Sequence, residues 1–168
     1  MGKDFRKRVE MGPNVSGIYQ VERSTRLSRP LFLSRVPAGF PSPAEDYVES
    51  RIDLNRDLIL HPLATYYARI EGDSMIGADI PDGSFVAFDC AAETNDGDVV
   101  IARVEDQMCC KILREGTEGG VWLEPANPDY QPIIITEEMD FQIIGLVLFS
   151  FKWHAKHHGH RLRTHRCQ

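Results

Sequence analysis

From residue 64 onward, apolar and polar positions alternate in short runs broken by Gly, Pro, Asn and Asp. Such runs, rich in Val, Ile, Phe and Tyr, predict strands over residues 65–71, 84–90, 99–104, 107–114, 120–124, 133–136 and 141–151. Turn signals separate them: Pro81-Asp82-Gly83, Asn95-Asp96-Gly97, Gly119-Gly120 and Asn127-Pro128-Asp129. Short strands at this spacing predict a mainly β sandwich or barrel. Residues 44–60 read differently. Val48, Ile52, Leu58 and Ile59 lie among acids and arginines, which predicts a short helix starting near Ser42 or Pro43. Ahead of them, Pro37, Pro41 and Pro43 predict an exposed, extended linker, because proline removes backbone donors and biases its neighbours away from helix. In residues 1–35, Gly12, Pro13, Gly17 and Pro30 interrupt any period. That predicts a mostly unstructured arm with one apolar patch, Leu31 to Leu33.

Length and composition add bounds. The chain has 168 residues, 42% hydrophobic and 26% charged, which suits one globular domain with tails. No run approaches the ~18 apolar residues of a membrane span, and Met1 to Glu10 lacks the apolar stretch of a secretory signal. The four cysteines, Cys90, Cys109, Cys110 and Cys167, form no CxxC pair. A disulfide framework and a zinc ribbon are therefore not expected, and a reducing cytoplasm is. The net charge of −6 hides three blocks. Residues 1–37 carry +5, residues 38–151 carry −16 and residues 152–168 carry +5. An acidic body with basic ends does not have the charge of a sequence-specific duplex-DNA-binding domain. The tail holds His154, His157, His158, His160 and His165. Such a cluster is able to take nickel, copper or zinc, but a basic tail with incidental metal affinity is the simpler reading, and no cofactor or structural metal is expected.

Two residues stand out chemically. Ser74, in Glu71-Gly72-Asp73-Ser74-Met75, follows turn residues, so its hydroxyl is presented at a strand end. A serine nucleophile needs a base, and all six histidines fall outside residues 62–153. A histidine triad would need His61 or the tail. Lysine usage is more informative. Lys111 is the one lysine between residues 8 and 151. It lies in the apolar run Met108-Cys109-Cys110-Lys111-Ile112-Leu113, where alternation puts it on one face with Cys109 and Leu113. An ordinary lysine, with a pKa of ~10.4, is neutral in only about one copy in 10³ near pH 7. Burial is able to lower that value by up to ~3–5 units. Arginine stays protonated and gives no such base. On the residues alone, a turn serine and a lysine that snorkels to solvent from a strand edge are the commoner outcomes. Cys109 and Cys110 point to opposite faces and read as filler rather than a redox pair.

Several segments together resemble a known family. Gly39-Phe40-Pro41-Ser42-Pro43-Ala44, Asp46-Tyr47-Val48-Glu49, Arg51-Ile52-Asp53-Leu54-Asn55, Gly72-Asp73-Ser74-Met75 and Asp82-Gly83 occur in order with little gapping. Over about residues 37–152 the chain resembles the LexA/UmuD-type Ser–Lys autoproteases (peptidase S24), and among them the UmuD group of SOS mutagenesis proteins. The resemblance implies a LexA/signal-peptidase-like pseudo-barrel of short strands, with a flexible N-terminal arm and a basic tail. It implies Ser74 as nucleophile, Lys111 as general base and Ala38–Gly39 as the scissile bond, with the oxyanion held by backbone N–H groups at and near Ser74. It divides the chain into an arm over 1–38 removed by self-cleavage, a protease-like domain over 39–151 and a tail over 152–168. It further implies cleavage stimulated by the RecA filament on single-stranded DNA, a homodimer, and a trimmed form that joins an error-prone translesion DNA polymerase. Two features depart from the pattern. The family's Asp-Gly-Asp reads Asp82-Gly83-Ser84 here, and the arm is about a dozen residues longer than usual. A non-cleaving regulatory subunit of the polymerase and a LexA-like repressor stand as alternatives. The repressor is disfavoured because about 37 residues with this many helix breakers do not make a compact helix-turn-helix.

Overall fold

The computed structural model describes residues 15–20, 29–32, 48–117, 119–152 and 154. Among the described residues ten strands run in chain order. They are β1 (Val15–Gln20), β2 (Arg29–Phe32), β3 (Val48–Ile52), β4 (Thr65–Ile70), β5 (Phe85–Asp89), β6 (Val99–Val104), β7 (Gln107–Glu115), β8 (Val121–Glu124), β9 (Ile133–Ile135) and β10 (Phe141–Phe151). Eight of them form one antiparallel sheet in the order β1-β4-β5-β10-β6-β7-β8-β9, and β2 and β3 pair separately. All seven strands expected beyond residue 64 are present, with ends that differ by no more than a residue. The turn glycines act as expected. Gly83 (φ 76°) and Gly97 (φ 89°) occupy the left-handed region that other residues avoid.

The sheet curls on itself. The long strand β10 pairs with β6 through Phe141 to Leu146 and with β5 through Leu146 to Phe151. Its register shifts once against each neighbour, between Ile143 and Gly145 and between Val147 and Phe149. Such irregularities bend a strand and increase its twist. Gly145 sits at the first of them. A Cβ there would lie 2.7 Å from the Asp89 carbonyl oxygen, so no side chain fits. The curl brings β1 into contact with β7, although four strands separate them in the sheet.

Alternation sorts the buried residues into two clusters. One gathers Val15, Ala68, Ile70, Met75, Ile80, Val86, Phe88, Ile101, Met108 and Cys110. The other gathers Val100, Ala102, Cys109, Leu113 and Leu123. Strand β7 divides between them, Met108 and Cys110 facing one and Cys109 and Leu113 the other, as a period of two requires.

Two expectations need correction. Over residues 48–60 the expected helix is not found, and its start near Ser42 or Pro43 lies outside the described residues. Val48–Ile52 is a strand paired with β2, and one helical turn follows, α1 (Leu54–Asp57). Asp53 caps that turn, its side chain accepting from the Asn55 N–H. The described residues of the arm also depart from an irregular reading. Val15–Gln20 is a strand of the main sheet, and Arg29–Phe32 pairs with β3. Backbone pairing and burial of Val15 outweigh the local glycines and prolines. The linker around Ala38–Gly39 and the tail histidines from 157 onward lie outside the described residues.

Candidate active site

Ser74 and Lys111 meet. The Lys111 Nζ donates to the Ser74 Oγ at 2.7 Å, and both residues are buried, at 7% exposure for the lysine and 5% for the serine. Lys111 does not snorkel from a strand edge. It sits mid-strand in β7 opposite Val100 of β6 and is buried. Burial holds its ammonium below the ordinary value of 10.5. The neighbouring thiols do not reverse this near neutral pH. Burial pushes Cys109 up to about 11 and Cys110 up to about 12, so both remain uncharged there. Neither is in a disulfide, and they face different clusters, as filler would. Lysine with a lowered pKa in hydrogen-bond reach of a hydroxyl is the arrangement of a general base and a nucleophile.

His61, the other base considered, is engaged elsewhere. Its Nδ1 lies 2.6 Å from the Asp89 Oδ2, with Asp89 fully buried. His154 is exposed.

The serine is held by a network that sequence reasoning missed. Ser74 follows β4 through a tight turn in which Gly72 (φ 82°) donates its N–H to Asp82 Oδ1 at 2.7 Å. After it comes a 3-10 turn, Ile76–Ala78, with Met75 buried beneath. The loop after β8 clamps both sides of the serine. Asn127 Nδ2 donates to the Asp73 carbonyl at 3.2 Å, and the Tyr130 hydroxyl donates to Asp73 Oδ1 at 2.5 Å. The Gly77 N–H donates to the Ala126 carbonyl at 2.8 Å. This last contact is so close that a Cβ on Gly77 would fall 2.4 Å from that oxygen. Asn127 also accepts from the Asp129 N–H, which fixes its amide. In the sequence, Asn127-Pro128-Asp129 shows itself only as a turn. Its contact with residue 73 spans 54 positions and leaves no local signal.

Ser84, where the family pattern has an acid, is buried at 1% exposure, and its Oγ has no hydrogen-bond partner among the described residues. It touches neither member of the pair by hydrogen bond. No helix among the described residues is long and apolar enough to cross a membrane.

Comparison with known proteins agrees with the resemblance read from the motifs. The sequence model of the peptidase S24-like family matches residues 30–148. Protein SamA of Salmonella typhimurium is 42% identical over 118 residues, covering 70% of this chain and 81% of that protein. Protein ImpA of Escherichia coli is 34% identical over 138 residues, covering 80% of this chain and 88% of its own length. The LexA repressor of Stenotrophomonas maltophilia is 34% identical over 114 residues, which is 68% of this chain but 53% of the repressor. With a family match across most of its length and relatives that it nearly spans, this chain belongs to the peptidase S24-like family of LexA/UmuD type.

Proposed function

We propose that the chain is a self-cleaving serine peptidase of the SOS response, which cuts its own Ala38–Gly39 bond with Ser74 and Lys111. The single observation that carries the reading is the buried 2.7 Å contact between Lys111 Nζ and Ser74 Oγ. Neutral Lys111 takes the Ser74 proton as Oγ attacks the Ala38 carbonyl carbon. The tetrahedral oxyanion is held by backbone N–H groups at and near Ser74. It collapses to an ester on Ser74, and the Lys111 ammonium gives its proton to the departing Gly39 amine. Water, deprotonated by the same lysine, then hydrolyses the ester and leaves a carboxylate on Ala38.

Ala38 is small enough for a tight pocket, and Gly39 has no side chain to obstruct attack. Tethering supports a modest pair of catalytic groups. Effective molarities of ~10⁵–10⁸ M are reached by well-placed intramolecular groups. A bond that must first be laid over the site also gives control, and the RecA filament on single-stranded DNA is the proposed trigger. The proposed product acts in the cytoplasm as a homodimeric accessory subunit of an error-prone translesion polymerase.

The repressor reading finds no support in the described residues of the arm, which form strands β1 and β2. The test compares wild type with Ser74→Ala, each incubated with activated filament or at alkaline pH. Loss of a 38-residue piece from wild type alone supports the peptidase. No cut in wild type under either condition overturns it in favour of a non-cleaving regulatory subunit.

A further inference from the structure

Strand β1 lies ahead of the proposed cut, yet it is built into the body. It runs antiparallel along β4, from Val15 opposite Ile70 to Gln20 opposite Tyr66. Val15 is 1% exposed and shares its cluster with Met75 and Cys110, the neighbours of Ser74 and Lys111. Ile18 packs on the same cluster and, with Tyr66, Phe88, Cys90 and Ile144, lines a small apolar cavity. The same strand touches β7, which carries Lys111. A second pairing, β2 with β3, also spans the cut.

Hydrolysis between residues 38 and 39 breaks none of these contacts. Departure of the arm would break all of them. It would leave β4 as a bare edge with unpaired N–H and C=O groups and open the cluster that holds Val15 to water. We propose that residues 1–38 stay on the body after the cut, with β1 as the occupant of a strand-accepting edge on β4, so that the product is a two-piece complex. This rests on the reading that the chain is cut between Ala38 and Gly39. The cut then changes one quantity, the effective concentration of β1 at its own groove. Before it, β1 is tethered and outcompetes any other strand. After it, β1 is a separate chain that dilution or a rival extended strand displaces.

The test uses the full chain in a Ser74→Ala background, with a recognition sequence for a site-specific protease inserted between residues 38 and 39. Nicking then does not depend on the candidate pair, so failure of the peptidase reading and failure of this one are separately visible. Native mass spectrometry and size exclusion follow the nicked protein. The expected result is co-elution of both pieces, and at least a tenfold faster loss of the small piece when Val15→Asp is added. Should that variant not fold, a labelled synthetic peptide of residues 10–24 is added in excess to the nicked protein that retains Val15, where it is expected to displace the small piece. Prompt separation of the pieces without any competitor overturns the proposal. So does a small piece held equally well with and without the Val15→Asp change, or one that excess peptide fails to displace.

Discussion

Lys111 sits where a charge is costly. Its folded-state pKa lies below the ordinary 10.5, because burial opposes the ammonium. The unfolded chain therefore binds more protons at this site than the native one between the two values. Stability contributed by the site rises with pH across that window and is constant below it. Three outcomes follow. Lys111→Met is expected to raise the thermal midpoint at neutral pH by a few degrees, at about 2–4 °C per kcal/mol for a chain of this size. Calorimetry at two pH values checks it, and the gain should shrink towards pH 10.5. Self-cleavage should rise with pH as the amine deprotonates and level off above its lowered pKa. Lys111→Arg should abolish cleavage at every pH, since a guanidinium does not deprotonate. Ser84 supplies a fourth. A buried hydroxyl without a partner costs roughly 1–3 kcal/mol, so Ser84→Ala should be neutral or stabilising by about 1 kcal/mol in denaturant melts, with cleavage kept. At this scale the base was partly legible. The isolation of Lys111 among apolar residues marks it, and alternation sets it with Cys109 and Leu113, which the structure buries in one cluster. Its partner was not legible, because residues 74 and 111 lie 37 positions apart and meet only through the strand order and curl of the sheet, which local spacing does not encode. Only the family resemblance joins them beforehand.

Among elements, the strands beyond residue 64 were the most readable, since their alternation and turn glycines agree with the sheet they join. Residues 44–60 misled for a physical reason. Val48 and Ile52 are four apart, a helical spacing, but β2 offers backbone pairing that a helix would forgo. The same tertiary effect recruits β1 from a stretch that reads as irregular. Close backbone approaches were invisible in the sequence, and they yield the sharpest tests. Gly145→Ala drives a Cβ against the Asp89 carbonyl at the β10 irregularity. It should cost about 1–3 kcal/mol, the range for overpacking, measured by urea melts. Gly77→Ala collides with the Ala126 carbonyl and pushes apart the 3-10 turn and the loop that clamps Asp73. It should lower the cleavage rate more than it lowers stability. Tyr130→Phe, which removes the hydroxyl from Asp73 without adding bulk, should do the same more mildly.

For the whole molecule, charge and topology give different accounts of the arm. The first 37 residues carry +5 against an acidic body of −16, so attraction between them is expected. Salt at about 1 M shortens the screening length to roughly 3 Å and removes most of that attraction. If β1 is the anchor, a nicked arm stays in place in high salt, because burial of Val15 and strand pairing do not depend on ionic strength. The curled sheet joins these scales. It sets β7 against β1 and carries Lys111 to a serine 37 positions earlier in the chain. Whether this one contact cuts the chain is decided by intact-mass measurement of wild type and Lys111→Ala after alkaline incubation. Wild type alone is expected to yield a species with the mass of residues 39–168, while Lys111→Ala stays whole. The same product from both proteins, or an uncut wild type, would contradict it.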